Sequence, residues 1–234
     1  MLNFREKIIK TENIYNKLKI KPYHFLGITI IFILMISNVA RAKISSVYGY
    51  EVSSGIYFFS IIYPLICIVT EVYGFKSTMK LVWIALLANI VSSLLLYLAT
   101  IMPSAPDMST NEYFDKIFTL NISIFILVIF SFVFGSYLTS IFVARTKVIF
   151  FGRYILARFI FSSLMGVIVE SFIFYIAMFS KFHDIYILPV IFISLLIKFC
   201  YQLILAPIAV LTSRLIKDNE QIDYYDYKTR FTIY

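Results

Sequence analysis

Long apolar runs, each about long enough to cross a lipid bilayer, constrain this chain more than any other feature. A bilayer core of roughly 30 Å takes about 20 helical residues, and it leaves the backbone no hydrogen-bonding partner outside the helix itself. Only 15% of the residues are charged, whereas soluble domains have roughly 25%. The sequence therefore predicts an all-α, polytopic membrane bundle of about six transmembrane helices. Their expected ranges are 24–40, 54–73, 79–101, 121–144, 155–179 and 186–213.

Lys and Arg are distributed unequally between the two sides that these spans define. The side with both termini carries sixteen, whereas the other side carries four. Because cytoplasmic loops are enriched in Lys and Arg, we predict that both termini are cytoplasmic. The expected organisation is a basic segment at 1–23, a six-helix transmembrane domain at 24–213 and a cytoplasmic tail at 214–234. The basic segment could lie on anionic lipid as an amphipathic helix, or extend from the bundle.

Turn signals separate several of the spans. The segment from Gly74 to Ser77 predicts a tight turn between the second and third spans. The third loop, Pro103 to Lys116, is comparatively acidic, and its Pro-Ser-Ala-Pro run predicts a turn and not a further span. The last span is long enough to tilt, or to break at Pro207.

Charged residues inside the spans are the first candidates for a functional site, because each costs about 2.5–3.5 kcal/mol on insertion scales. Glu170 lies midway along the fifth span and Lys198 midway along the sixth. They could form an ion pair that fixes helix packing, line a solute cavity, or do both. A carboxylate there could accept paired hydrogen bonds from a guanine-like edge. Tyr175 or Phe199 could stack on a flat heterocycle.

Four further polar residues complete the candidate site. Glu71 closes the second span, so it is either part of the site or a solvated, helix-ending charge. Asn89 in the third span is either part of the site or a hydrogen-bonding contact between helices. Asn38 and Gln202 add hydrogen-bonding capacity. The candidate binding residues are Glu170, Lys198, Asn89, Asn38, Gln202 and Glu71.

The sequence contains no catalytic pattern. It has no nucleophile with a base and no phosphate loop, and its histidines and cysteines lack metal-ligand spacing. The net charge of +8 comes from short basic clusters and not from a stripe with aromatic platforms, so we expect no nucleic-acid partner. We predict a non-enzyme without cofactor or metal, whose partners are membrane lipids and a small purine-like molecule. A homodimer is compatible with a bundle this small, although no residue argues for one.

Several short segments together resemble a known family. The most specific is Thr70-Glu71-Val72-Tyr73-Gly74, at the end of the second span. The others are Ile36-Ser37-Asn38, Lys76, Val82-Trp83, Leu87-Ala88-Asn89, Gly152-Arg153, Glu170-Ser171, Ile173-Phe174, Lys198, Pro207 and Asp223-Tyr224-Tyr225-Asp226. On these segments, most of the chain resembles the putative vitamin uptake transporter family, whose best-known members are queuosine precursor transporters.

This resemblance implies uptake of 7-cyano-7-deazaguanine or 7-aminomethyl-7-deazaguanine across a bacterial inner membrane. It also implies that Glu170 reads the guanine-like edge and that Glu71 and Lys198 orient it or form a gate. The polar shell would be completed by Asn38, Asn89 and Gln202.

The chain departs from the family at three positions. It has apolar residues at 67–69, where an acidic residue is usual, and Gln202 where Glu is frequent. Glu170 stands where Asp is common, which keeps the charge. Two other functions stay open: a substrate-binding subunit of an ATP-driven vitamin importer, whose ATPase would be a separate subunit, and a structural or assembly membrane protein.

Overall fold

Six long apolar helices run through the part of the chain that the computed structural model describes, residues 21–47, 49–103, 109–118, 122–182 and 187–232. They confirm the predicted membrane helix bundle. A two-stranded antiparallel hairpin follows the first helix, and the second span is divided into two helices at residues 60–61. The elements are α1 (Pro22–Ala40), β1 (Ile44–Val47), β2 (Tyr50–Ser53), α2 (Gly55–Phe59), α3 (Ile62–Tyr73), α4 (Phe75–Ile101), α5 (Ser109–Phe118), α6 (Ile122–Ile149), α7 (Ile155–Phe182) and α8 (Ile187–Glu220).

Two helices continue at least five residues past the predicted ends of their spans. Helix α6 ends at Ile149 and α8 at Glu220, whereas the hydropathy predicted ends at 144 and 213. Lys147 and Lys217 lie in these extra turns, where they donate hydrogen bonds to carboxylates. Hydropathy shows where the apolar stretch ends, but a helix can continue as long as its polar side chains have partners.

The turn between the second and third spans is shorter than predicted. Gly74 alone separates α3 from α4, with φ at 81°, a conformation that favours glycine. The prediction that the turn runs to Ser77 is therefore wrong, because α4 begins at Phe75. The Phe75 amide donates a 3.0 Å hydrogen bond to Asp226 Oδ2, which satisfies one of the free N–H groups at the start of α4.

The third loop contains a helix that the sequence did not predict. Helix α5 has 10 residues, too few to cross a bilayer, so the prediction that no further span lies here is confirmed. The Pro-Ser-Ala-Pro run falls largely in 104–108, outside the described residues. The alternative that the last span breaks at Pro207 is wrong, because α8 continues as one helix through it.

The beginning and the end of the described chain lie on the same face of the bundle. The Tyr23 hydroxyl, at the start of α1, donates a 2.9 Å hydrogen bond to the Ser77 carbonyl. The Tyr73 hydroxyl, at the end of α3, donates to the Glu220 carboxylate at the end of α8. We call this face the inner face, because the Lys and Arg count predicts that it is cytoplasmic. The predicted basic segment, up to residue 20, lies outside the described residues.

Helix α3 is the centre of the bundle. In the span Gly55–Tyr73, 72% of the most apolar window is buried, compared with 17% in Leu188–Glu220. Beside α3, helices α6 and α7 pack closely against each other through two glycines. A Cβ added to Gly166 would lie 1.8 Å from Thr139 Oγ1 and 2.6 Å from the Gly135 carbonyl oxygen. Small residues allow such contact between membrane helices, and this contact fixes α7, which carries Glu170.

Candidate functional site

A cavity lies in the outer half of the bundle, at the end away from the inner face. Its accessible volume is about 50 Å³, well below the roughly 300–1,000 Å³ typical of small-molecule sites, so a solute of that size would require the cavity to widen. The hairpin, α2, α6, α7 and α8 surround it. Its lining includes Arg41, Ser53, Phe59, Ser131, Glu170, Phe174, Tyr175 and Lys198.

Glu170 and Lys198 form an ion pair in the wall of this cavity. Lys198 Nζ donates to Glu170 Oε2 and, over 2.7 Å, to Ser171 Oγ. Ser171 Oγ donates in turn to the same Oε2 over 3.2 Å. Both charged residues are nearly buried, at 6% and 3% exposure. The pair therefore joins α7 to α8 and lines a cavity, so both geometries predicted for these two residues hold together.

One oxygen of the Glu170 carboxylate is left for another donor. The hydrogen bonds from Lys198 and Ser171 both go to Oε2, and no described side chain donates to Oε1. Because Glu170 lines the cavity, a molecule in the cavity could supply that donor.

Aromatic rings form much of the remaining wall. The Lys198 ammonium lies 5.8 Å from the centre of the Phe59 ring. Tyr175 lines the cavity, and its hydroxyl donates a 2.6 Å hydrogen bond to Ser194 Oγ. Phe199, the other aromatic residue considered for stacking, is 40% exposed on the bundle surface and does not line the cavity.

Arg41 is a cavity residue that the sequence reasoning missed. It follows α1 directly, where the sequence predicts only a loop charge. Its guanidinium lies 5.8 Å from the centre of the Phe174 ring, and it interacts electrostatically with Glu170 and Tyr175. Sequence could have suggested it only through its position in the same outer half as Glu170.

Three of the predicted binding residues lie outside the cavity lining. The Asn38 amide donates to Asn89 Oδ1 and joins α1 to α4, which is the interhelical contact considered for Asn89. Gln202 lies one turn from Lys198 and donates a 3.0 Å hydrogen bond to the Ser60 carbonyl at the break in the second span. Gln202 Oε1 has no partner among the described residues. Roles for these residues in binding stay predictions.

The sixth predicted residue, Glu71, lies at the inner face within a dense group of charges. It is fully buried, so the alternative of a solvated charge is wrong. Arg158 binds it with two parallel bonds of 2.9 and 3.1 Å, and Lys217 Nζ lies 2.7 Å from Oε1. Lys147 Nζ lies 3.8 Å from the same oxygen and 2.6 Å from Asp223 Oδ1. We call these five residues the inner ion cluster.

The carboxyl-terminal tail covers the inner ion cluster. The Tyr224 amide donates a 3.1 Å hydrogen bond to the Val72 carbonyl. The Phe231 carbonyl accepts one of 2.9 Å from the Tyr137 hydroxyl. Burial raises the pKa of Asp223, but its hydrogen bonds to Lys147 and Lys217 outweigh burial, and the pKa lies below its ordinary value. The tail therefore binds through a carboxylate that is charged at neutral pH.

The cavity and the inner ion cluster lie at different depths along the same helices. Arg158 and Glu170 are both on α7, twelve residues apart, which corresponds to about 18 Å along a helix. The bundle therefore has an outer cavity and an inner end that ion pairs and the tail close.

A comparison with known protein families gives a match. A family model described as a putative vitamin uptake transporter matches residues 53–212, more than half of the chain. The matched part includes α3, α4, α6 and α7 and most of α8, but it excludes Arg41 and the tail. No curated protein and no solved structure gives a match.

Proposed function

This chain belongs to the putative vitamin uptake transporter family, and from that premise we propose that it imports a queuosine precursor. The solute is 7-cyano-7-deazaguanine or 7-aminomethyl-7-deazaguanine, carried across a bacterial inner membrane. The observation that supports this most is the buried pair of Glu170 and Lys198 in the wall of an outer cavity with aromatic sides.

Glu170 is suited to read the guanine-like edge of such a solute. That edge presents two adjacent N–H donors, and a carboxylate can accept both. Oε1 takes the first donor. The second requires a lone pair on Oε2 that Ser171 now uses, and a hydroxyl can rotate to release it. Lys198 stays on Oε2 and balances the charge of the carboxylate.

The rings around the cavity suit the flat faces of the solute. Phe59, Phe174 and Tyr175 all line it, and stacking on an aromatic side chain is worth about 1–3 kcal/mol per base in nucleic-acid complexes. Stacking does not depend on the substituents at the edge. The aromatic wall would therefore give affinity, while Glu170 gives specificity.

Import also requires a route inward and a gate. Tyr63 and Gln202 each have a buried polar atom without a partner among the described residues. A Cβ on Gly135 would lie 2.5 Å from the Tyr63 hydroxyl and 2.8 Å from Glu170 Cβ, so Tyr63 lies close to Glu170. Tyr63 and Gln202 would bind the solute next, on its way inward. The inner ion cluster, with Glu71 at its centre, would be the gate.

The test is rescue of queuosine in tRNA. A bacterial strain that cannot make the precursors expresses the chain, receives 7-cyano-7-deazaguanine at low concentration, and is assayed for queuosine. We expect rescue by the wild type and a loss of roughly tenfold or more in Glu170→Gln, the effect of about 1.4 kcal/mol or more from one lost charged hydrogen bond. The matched control is Glu51→Gln, the same change at an exposed outer carboxylate, which should rescue fully.

A paired replacement separates transport from a purely structural role. Replacing a buried ion pair by apolar residues of similar size is often neutral for stability, so Glu170→Leu with Lys198→Met should fold. We expect this variant to reach the membrane at the wild-type level and to fail in rescue. Full rescue by the paired variant would refute the proposed site, and no rescue by the wild type would refute the proposed solute.

A further inference from the structure

Arg41 is a charged group in the outer cavity whose guanidinium has no hydrogen-bond acceptor among the described residues. A guanidinium has five N–H donors in a planar fork, and it stays charged in proteins. Lys198, the other cation of the cavity, is bound by Glu170 and Ser171. The Arg41 side chain is therefore available to a ligand, whereas Lys198 is not.

The backbone of Arg41 is held in place. Its amide donates a 3.0 Å hydrogen bond to the Ser37 carbonyl, and its carbonyl accepts one of 3.2 Å from Ser53 Oγ. A Cβ on Gly55 would lie 3.2 Å from Arg41 Cα, so the chain packs closely around this residue. A cation that only favoured the end of α1 could extend into water, as the exposed Lys43 does. Arg41 instead lies over the Phe174 ring inside the cavity.

The charges that line the cavity do not balance. Among the described lining residues, the cations are Arg41 and Lys198 and the one carboxylate is Glu170. Lys198 neutralises Glu170, and the charge of Arg41 remains. Such a site attracts hydrogen-bond acceptors and disfavours a further positive charge.

We propose that Arg41 recognises the acceptor edge of the solute, and that the cavity consequently selects the neutral 7-cyano compound over the cationic 7-aminomethyl compound. This inference rests on the proposed function. On a guanine ring, the O6 carbonyl and the substituent at position 7 share one edge, and arginine is the usual side chain that reads the corresponding edge in DNA. A nitrile there is an acceptor, whereas a protonated amine would face the guanidinium with a like charge.

Binding to the purified full-length chain in lipid nanodiscs tests this. The probes are 7-cyano-7-deazaguanine and 7-aminomethyl-7-deazaguanine, and the readout is the ratio of their Kd values. We expect the wild type to bind the cyano compound at least about tenfold more tightly, since like charges in contact cost several kcal/mol. In Arg41→Gln the two Kd values should differ by no more than about threefold, mainly because the aminomethyl compound binds better than it does to the wild type. Arg41→Lys keeps the charge and should keep a preference.

Lys43→Gln is the matched control, because it removes one positive charge from the same exposed segment without touching the cavity. Its ratio should equal that of the wild type. Equal binding of the two compounds by the wild type would overturn this inference and leave the proposed function intact, and so would an unchanged ratio in Arg41→Gln. If neither compound binds the correctly folded wild type, the proposed function fails and this inference fails with it.

Discussion

Replacing Glu71 by Gln tests the inner ion cluster most directly. Gln keeps the shape of the side chain but removes the charge that Arg158, Lys147 and Lys217 share. Lys147 and Lys217 would each keep Asp223, at 2.6 and 2.8 Å. Among the described residues, Arg158 would keep only the carbonyls of residues 152 and 153. The substitution therefore leaves one buried guanidinium without a counter-charge, and breaking a buried pair in this way costs about 3–5 kcal/mol.

Substitutions at Arg158 and Lys217 should lower the stability less than Glu71→Gln does, and in a definite order. Arg158→Gln leaves Glu71 with Lys217 at 2.7 Å and Lys147 at 3.8 Å, so the remaining carboxylate is still compensated. Lys217 is 19% exposed, and ion pairs that water reaches contribute only about 1 kcal/mol or less. We therefore expect Glu71→Gln to destabilise most, Arg158→Gln less and Lys217→Gln least.

Thermal unfolding in detergent measures these differences. For a chain of this size, 1 kcal/mol corresponds to about 2–4 °C in Tm, so Glu71→Gln should lower Tm by about 6–20 °C and Lys217→Gln by about 4 °C or less. The double variant Glu71→Gln with Arg158→Gln should be more stable than the two single effects predict, because it leaves no unpaired guanidinium. The reasoning is refuted if Glu71→Gln melts with the wild type, or if Lys217→Gln is equally harmful.

Three other outcomes follow from the packing and from the tail. Gly166→Ala should destabilise by about 1–3 kcal/mol, measured as a lower Tm, because its Cβ would overlap Thr139. Gly74→Ala should release the tail and make it sensitive to protease, because its Cβ would lie 2.3 Å from the Tyr224 ring at a positive φ. Asp223 has a lowered pKa, so its contribution to tail binding is complete above its unfolded pKa of about 3.9 and is lost as pH falls through the lower folded pKa. Protease sensitivity of the tail should therefore stay low down to about pH 4 and rise below it, and Asp223→Asn should show the acid behaviour at neutral pH.

The spans could be predicted from the sequence because lipid imposes one requirement on every residue in them. A stretch such as 79–101 has no stable structure in a bilayer other than a helix. The ends were less predictable. Lys147 and Lys217 read as loop charges, and they extend their helices only because Glu71 and Asp223 provide partners from distant parts of the chain.

Sequence could predict candidate site residues where placing a charge in an apolar run has a high energetic cost. Glu170 and Lys198 are energetically costly in apolar runs, so an ion pair between them is one of the predicted alternatives, and the structure contains it. A cation directly after a span is common and carries no such energetic cost, so the sequence does not mark Arg41 as a site residue. It becomes a cavity residue only through tertiary contacts: Ser53 bonds its carbonyl and the Phe174 ring lies against its side chain.

The segment that most specifically resembles the family has its contacts at the inner end and not at the cavity. Thr70 Oγ1 lies 3.0 Å from Thr78 Oγ1, and Glu71 holds the inner ion cluster together. The Val72 carbonyl accepts from the tail, and the Tyr73 hydroxyl donates to the end of α8. Gly74 makes the turn beneath the tail. The segment that carries the resemblance thus belongs to the inner end, whereas in the proposed function the solute is bound by residues around the cavity. The matched part contains Glu71, Lys147 and Arg158 of the inner ion cluster but not Lys217, Asp223 or Arg41, so the residue proposed to select the solute lies outside it.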